Sequence, residues 1–126
     1  MNQKPTILIV EDEPEIRNVM QESLESIGLN ILTAANGQEA LVKLGNNAGV
    51  SLILLDLMMP VMNGWQFLTA IEKNSLLNKI PILVVTVFSD QAKDLKVRGV
   101  LKKPFDLNDL LTQVTDVLRV SAISPQ

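Results

Sequence analysis

A doubly wound α/β domain built on a five-stranded parallel sheet is predicted by three features of the sequence. Short, continuous apolar runs such as ILIV (Ile7 to Val10) and LILL (Leu52 to Leu55) suit strands buried on both faces. Segments whose apolar residues recur at helical spacing separate them. The alternation of five strand-like runs with helical runs argues for crossover helices covering both sides of one sheet.

Taken in order, the first strand, Ile7 to Val10, stops at acids. Pro14 and Glu15 then suit a first helical turn, Ile16, Val19, Met20, Leu24 and Ile27 recur on one face, and Gly28 supplies the stop. Asn30 to Ala34 reads as the second strand. Asn36 and Gly37 open a second helix with Ala40, Leu41 and Leu44 inward, ending at a Gly45-Asn46-Asn47 loop. Leu52 to Leu55 is the third strand, and Gly64 to Glu72 a third helix that turns Phe67, Leu68 and Ile71 inward. Pro81 introduces the fourth strand, Ile82 to Val85, ending at Thr86, and Val100 to Lys102 is the fifth. Asp106 caps a last helix with Leu107, Leu110, Leu111, Val114, Val117 and Leu118 on one stripe. The expected domain is residues 1–120, with 121–126 a flexible tail in which Pro125 opposes further helix.

Composition removes whole classes of function. With 126 residues one core is expected, and with only one Trp, three Phe and no Tyr that core must be aliphatic. Eleven Lys and Arg against fourteen Asp and Glu leave no basic field for a phosphate backbone, so direct nucleic-acid binding is not expected. No apolar run approaches a membrane span and Met1 to Thr6 lacks a signal-type apolar stretch, so neither membrane nor secretion is expected, and a cytoplasmic location is. The absence of Cys and His excludes disulfides, thiolate and imidazole catalysis, and Cys or His metal sites.

In open parallel sheets ligands bind beyond the carboxyl ends of the strands. Glu11 and Asp12 follow the first strand, Asp56 the third, Thr86 ends the fourth, and Lys103 follows the fifth. Taken singly, each is ordinary: Asp56 or Asp12 as a cap, Thr86 as a strand residue, Lys102 and Lys103 as a solvated pair. Four strand ends with mutually consistent chemistry point instead to one site. Three converging carboxylates need a cation, and oxygen ligands alone favour Mg²⁺, which completes its shell with water and phosphate oxygens. An ammonium and a hydroxyl beside it suit a phosphoryl group.

From ILIVEDE through LLDLMMPVMNGWQFL and IPILVVT to LKKPF, nearly the whole chain resembles the receiver domain of bacterial two-component response regulators. The resemblance implies a flavodoxin-like sheet of order 2-1-3-4-5. It also implies that Asp56 accepts a phosphoryl group from a phosphohistidine on a sensor histidine kinase or histidine phosphotransfer protein, so as to signal to a downstream protein. On the same basis Mg²⁺ is held by Glu11, Asp12, Asp56 and the Met58 backbone carbonyl, Thr86 bonds a phosphoryl oxygen, and Lys103 pairs with it ahead of a cis Pro104. The domain would be a signalling device more than an enzyme. A constitutive interaction module without phosphotransfer is the alternative. An aspartyl-phosphate phosphatase would want an acid where Met58 stands, and a dinucleotide carrier a Gly-rich loop where EDEPE stands.

The chain departs from the family pattern at three places. The thirteen residues Val87 to Gly99 between Thr86 and Val100 predict a shortened or irregular fourth helix. With that helix shortened, a standard dimer or output contact through that face is not expected. Val100 stands where the family usually has a mobile aromatic ring. Val87 and Phe88 follow Thr86 where the family usually has a small residue, and could shield the acyl phosphate or block its formation.

Overall fold

The structure, a computed structural model, describes residues 4–46 and 49–123. Its order is β1 (Thr6–Val10), α1 (Pro14–Glu25), β2 (Asn30–Ala34), α2 (Gly37–Asn46), β3 (Val50–Leu55), α3 (Gly64–Glu72), β4 (Ile82–Thr86), a 3-10 turn (Ser89–Ala92), β5 (Gly99–Lys102) and α4 (Leu107–Ile123). The strands form one parallel sheet of order β2-β1-β3-β4-β5. Among the described residues no helix is long and apolar enough to cross a membrane.

Side-chain alternation divides the core in two. From β1, Leu8 and Val10 join Ile53, Leu55 and Val84 beneath α2 and α3, while Ile7 and Ile9 join Leu52, Leu54, Leu83 and Val85 beneath α1 and α4. Inner strands therefore carry apolar residues on both faces, which explains the continuous runs ILIV and LILL. The edge strand β2 tolerates Asn30 and Thr33. Phe67 is the largest fully buried side chain, contributing about 2–3 kcal/mol by burial alone.

Several expectations need correction. On α1 only Met20 and Leu24 are fully buried; Val19 is exposed, and Ile27 is exposed because the helix ends at Glu25, two residues before it. Gly28 (φ +91) follows that end. Gly45 and Asn46 belong to α2 rather than to a loop, and Asn47 lies outside the described residues. Leu107 is exposed at the first turn of α4, in which Leu110 and Val114 are the buried positions among the described side chains. The helix runs to Ile123, because Ser121, Ala122 and Ile123 precede Pro125 by enough residues to keep helical hydrogen bonding. The boundary set at residue 120 therefore falls inside α4. Met1 to Gln3 and residues 124–126 lie outside the described residues.

The β4–β5 connection matches the expected shortening and goes further. It contains only the 3-10 turn, after which Leu95 and Val97 pack half-buried against the core and the Arg98 amide bonds the Ile82 carbonyl at 2.8 Å to start β5.

Two loop residues fix the geometry after β3. A Cβ on Gly64 would lie 2.5 Å from the Asp56 carbonyl oxygen and 2.7 Å from the Leu57 Cα, backbone atoms that cannot rotate away. Val61 has φ 69, and the Met62 amide bonds the Pro60 carbonyl at 2.8 Å, a tight three-residue turn in the rare, strained sense. Gly64→Ala is therefore expected to destabilise by at least about 2 kcal/mol, whereas Val61→Gly is expected to stabilise by about 1 kcal/mol. Urea unfolding of both variants checks the pair; equal effects of the same sign would contradict this account of the loop.

Candidate functional site

Parallel strands end at the same rim, so residues far apart in sequence meet there. The Asp56 amide bonds the Val10 carbonyl at 3.1 Å, which carries Asp56 one step beyond β3 while it stays registered beside β1. The Glu11 amide bonds Ala34 at 2.9 Å on the other side, and the Lys103 amide bonds the Thr86 carbonyl at 2.9 Å. Among the described residues, Glu11, Asp56, Thr86 and Lys103 are the buried polar ones, and all four had been singled out from sequence. Asp12 is half-buried beside them.

Lys103 joins three strand ends. Its ammonium donates to Glu11 Oε1 at 2.6 Å and to Asp56 Oδ2 at 3.0 Å, with all three side chains at most 8% exposed. Glu11 Oε2 accepts from the Glu13 amide at 3.2 Å, and Asp56 Oδ1 from the Leu57 amide at 2.7 Å. The fully buried Thr86 hydroxyl oxygen accepts from the Phe88 amide at 3.1 Å, so its proton remains to be donated elsewhere. The Lys103–Pro104 peptide is cis, as the resemblance implied.

The charge balance is uneven, with one ammonium set against Glu11, Asp12 and Asp56. Burial pushes the Glu11 carboxyl up to about 7, with the Asp56 charge adding to the rise, and the Lys103 hydrogen bond and charge only partly oppose it. Burial alone would lower the Lys103 value, but hydrogen bonds to and charges on Glu11 and Asp56 outweigh it and raise it above the ordinary lysine range.

Ligand oxygens from Glu11, Asp12 and Asp56 lie within 4.8 Å of one another. Ligands on one Mg²⁺ sit at most about 4.2 Å apart, so small rotations would bring all three oxygens onto a single ion. The donor set, all oxygen, fits a hard cation. Among the described residues no hydrogen bond takes up the Met58 carbonyl, which leaves it available.

Sequence reasoning missed four supports. The Arg17 guanidinium donates to the Glu11 carbonyl at 2.9 Å from one turn into α1. Asn63 and Gln66 form a reciprocal cap at the start of α3, a spacing legible as N-x-x-Q. Gly64 permits the close approach of α3 to the Asp56 backbone, which no local signal reveals. The direct Lys103 bridge was also unforeseen, since Lys103 was assigned to a phosphoryl group rather than to the carboxylates.

Lys103→Met would strand the buried acids, and a loss of about 3 kcal/mol is expected in chelator-treated protein. Because the folded value of Glu11, about 7, lies above its ordinary 4.5, the folded chain holds an extra proton between them, so the stability Glu11 contributes falls as pH rises through that window. Removing the ammonium widens the window. The deficit in urea unfolding should thus be larger near pH 8 than near pH 5.5, and a pH-independent deficit would contradict the assignment.

The sequence profile described as the response regulator receiver domain matches residues 7–115. A probable transcriptional regulator, ycf29, of Pyropia yezoensis is 36% identical over 117 residues, covering 89% of this chain and 52% of that protein. A transcriptional regulatory protein CpxR homolog of Haemophilus influenzae is 35% identical over 121 residues, covering 92% and 51%. The chain thus spans about half the length of these curated relatives. Among solved structures, the chemotaxis response regulator CheY4 of Vibrio cholerae superposes with a TM-score of 0.82 at 33% identity, covering 92% of this chain and 100% of that one. TrrA of Thermotoga maritima, solved in complex with Mg(2+)-BeF, gives a TM-score of 0.80 at 32% identity, covering 90% and 99%. With this sheet order, this rim of buried acids and lysine, and these relatives, the chain belongs to the response regulator receiver domain family.

Proposed function

We propose that Asp56 accepts a phosphoryl group from a phosphohistidine on a sensor histidine kinase or histidine phosphotransfer protein, and that the added charge switches a protein-binding surface toward a downstream protein. The observation that carries this reading is the buried Lys103 ammonium held between Glu11 and Asp56.

The chemistry is modest and depends on placement. An Asp56 oxygen attacks phosphorus, the bond from phosphorus to the nitrogen of a phosphoimidazole protonated on its other ring nitrogen breaks, and the departing nitrogen keeps the electron pair, leaving an acyl phosphate and a neutral imidazole. A carboxylate is a weak nucleophile, so alignment and charge neutralisation supply the rate. Mg²⁺, as in the Thermotoga relative's complex, would be held by Glu11, Asp12, Asp56 and the Met58 carbonyl and would neutralise phosphoryl charge. Lys103 can release Asp56 and pair with the phosphoryl oxygens, and the free proton of Thr86 can be donated to one of them. Val87 is 54% exposed, so much of its side chain faces solvent, which supports an accessible acceptor. Val87 with half-buried Phe88 would still exclude some water, so slow loss of phosphate is proposed.

The missing helix between β4 and β5 and the stiff Val100 favour a second reading, a phosphorylation-independent interaction module. Intact-mass measurement after incubation with Mg²⁺ and a small phosphodonor separates the two. One added phosphoryl group on the native chain, none on Asp56→Asn, and a half-life longer than minutes are expected. No adduct on the native chain, or an undiminished one on Asp56→Asn, overturns the phosphoacceptor reading; a half-life of minutes or less overturns the shielding.

A further inference from the structure

A crossover that contains one 3-10 turn leaves part of a helix layer unbuilt. On the α2 and α3 side of the sheet, a groove of about 880 Å³ runs between α3 and the segment Asp94 to Arg98, floored by Ile80, Pro81 and Ile82. Trp65 and Leu68 from α3 face Leu95 and Val97 across it, all four only half-buried against the core. Its lip is basic. Lys79, Lys96 and Arg98 outnumber Glu72 and Asp94 in a chain whose net charge is −3, and among the described residues none of the three cations forms an ion pair.

We propose that this groove receives an amphipathic helix of a partner protein, apolar where it enters and acidic along its flanks. The partner helix stands in the layer position that the chain's own crossover does not fill. Three observations converge on it: the absent crossover helix, the half-buried apolar walls, and the unpaired cations that complement an acidic flank. Length sets the fit, since β4 has five residues, about 16 Å, and a helix of about eleven residues spans that distance. The inference does not depend on phosphorylation of Asp56.

Trp65 is the chain's only tryptophan, so its fluorescence reports on the groove directly. The probes are a synthetic Trp-free peptide of about three helical turns, with Leu at i, i+3, i+4 and i+7 and Glu on the flanks, and its twin carrying Lys for every Glu. Each is titrated into the full chain and into its Asp56→Asn variant. The Glu peptide is expected to give a saturable blue shift in both, at least about tenfold tighter than the Lys twin. In a triple variant, Lys79→Glu, Lys96→Glu and Arg98→Glu, with unchanged circular dichroism, the order should reverse. No saturable shift, equal affinity of the two peptides, or an unchanged order in the triple variant overturns the proposal. So does concentration-dependent self-association that the Glu peptide displaces, which would make a second copy the occupant. A failed titration leaves the phosphoacceptor reading intact, because the mass measurement does not use the groove.

Discussion

The Lys103 ammonium lies between two buried carboxylates, 2.6 Å from Glu11 and 3.0 Å from Asp56, and the other features of the rim are arranged around that pairing. Buried charges are costly alone, so the two acids can be kept at the rim only while a cation faces them. Lys103 comes from the end of β5, Glu11 from the end of β1 and Asp56 from the end of β3. A single side chain therefore ties the edge strand β5 to the inner strands β1 and β3, and among the described residues its ion pairs reach Glu11 and Asp56 but not the third acid, Asp12. The rim stays short of positive charge by design of its composition, and that shortage is what makes a divalent cation and then a phosphoryl group reasonable occupants.

The sheet makes the arrangement rigid. Asp56 is still hydrogen-bonded to Val10, Glu11 to Ala34 and Lys103 to Thr86, so each of these three sits within one position of regular pairing. A site on strand ends has little freedom to relax, which suits chemistry based on alignment. The loop after Asp56 extends that rigidity, with α3 seated against the Asp56 backbone at Gly64 and strain held at Val61.

Much of this was legible in the sequence because its causes are local or periodic. ILIV and LILL announce strands covered on both faces, and the residues following them are the ones the structure gathers at the rim. Val19, Ile27 and Leu107 misled because periodicity marks a face but not where the helix ends or how wide its buried stripe is. The close approach at Gly64 and the Lys103 bridge could not be read at all, since both depend on distances between segments that only the folded sheet defines. The β4–β5 connection was legible as too short by counting residues, but the groove it leaves required α3 and the sheet edge to be in place.

The central claim is that burial, together with the surplus of negative charge at the rim, outweighs what Lys103 can offset, and the titration of Glu11 tests it most directly. In carbon-detected NMR of the Glu11 side-chain carboxyl without divalent cations, the account predicts a midpoint near 7, with burial as the main cause, and a fall on adding Mg²⁺. A midpoint at the ordinary carboxylate value of 4.5, unmoved by Mg²⁺, would contradict it.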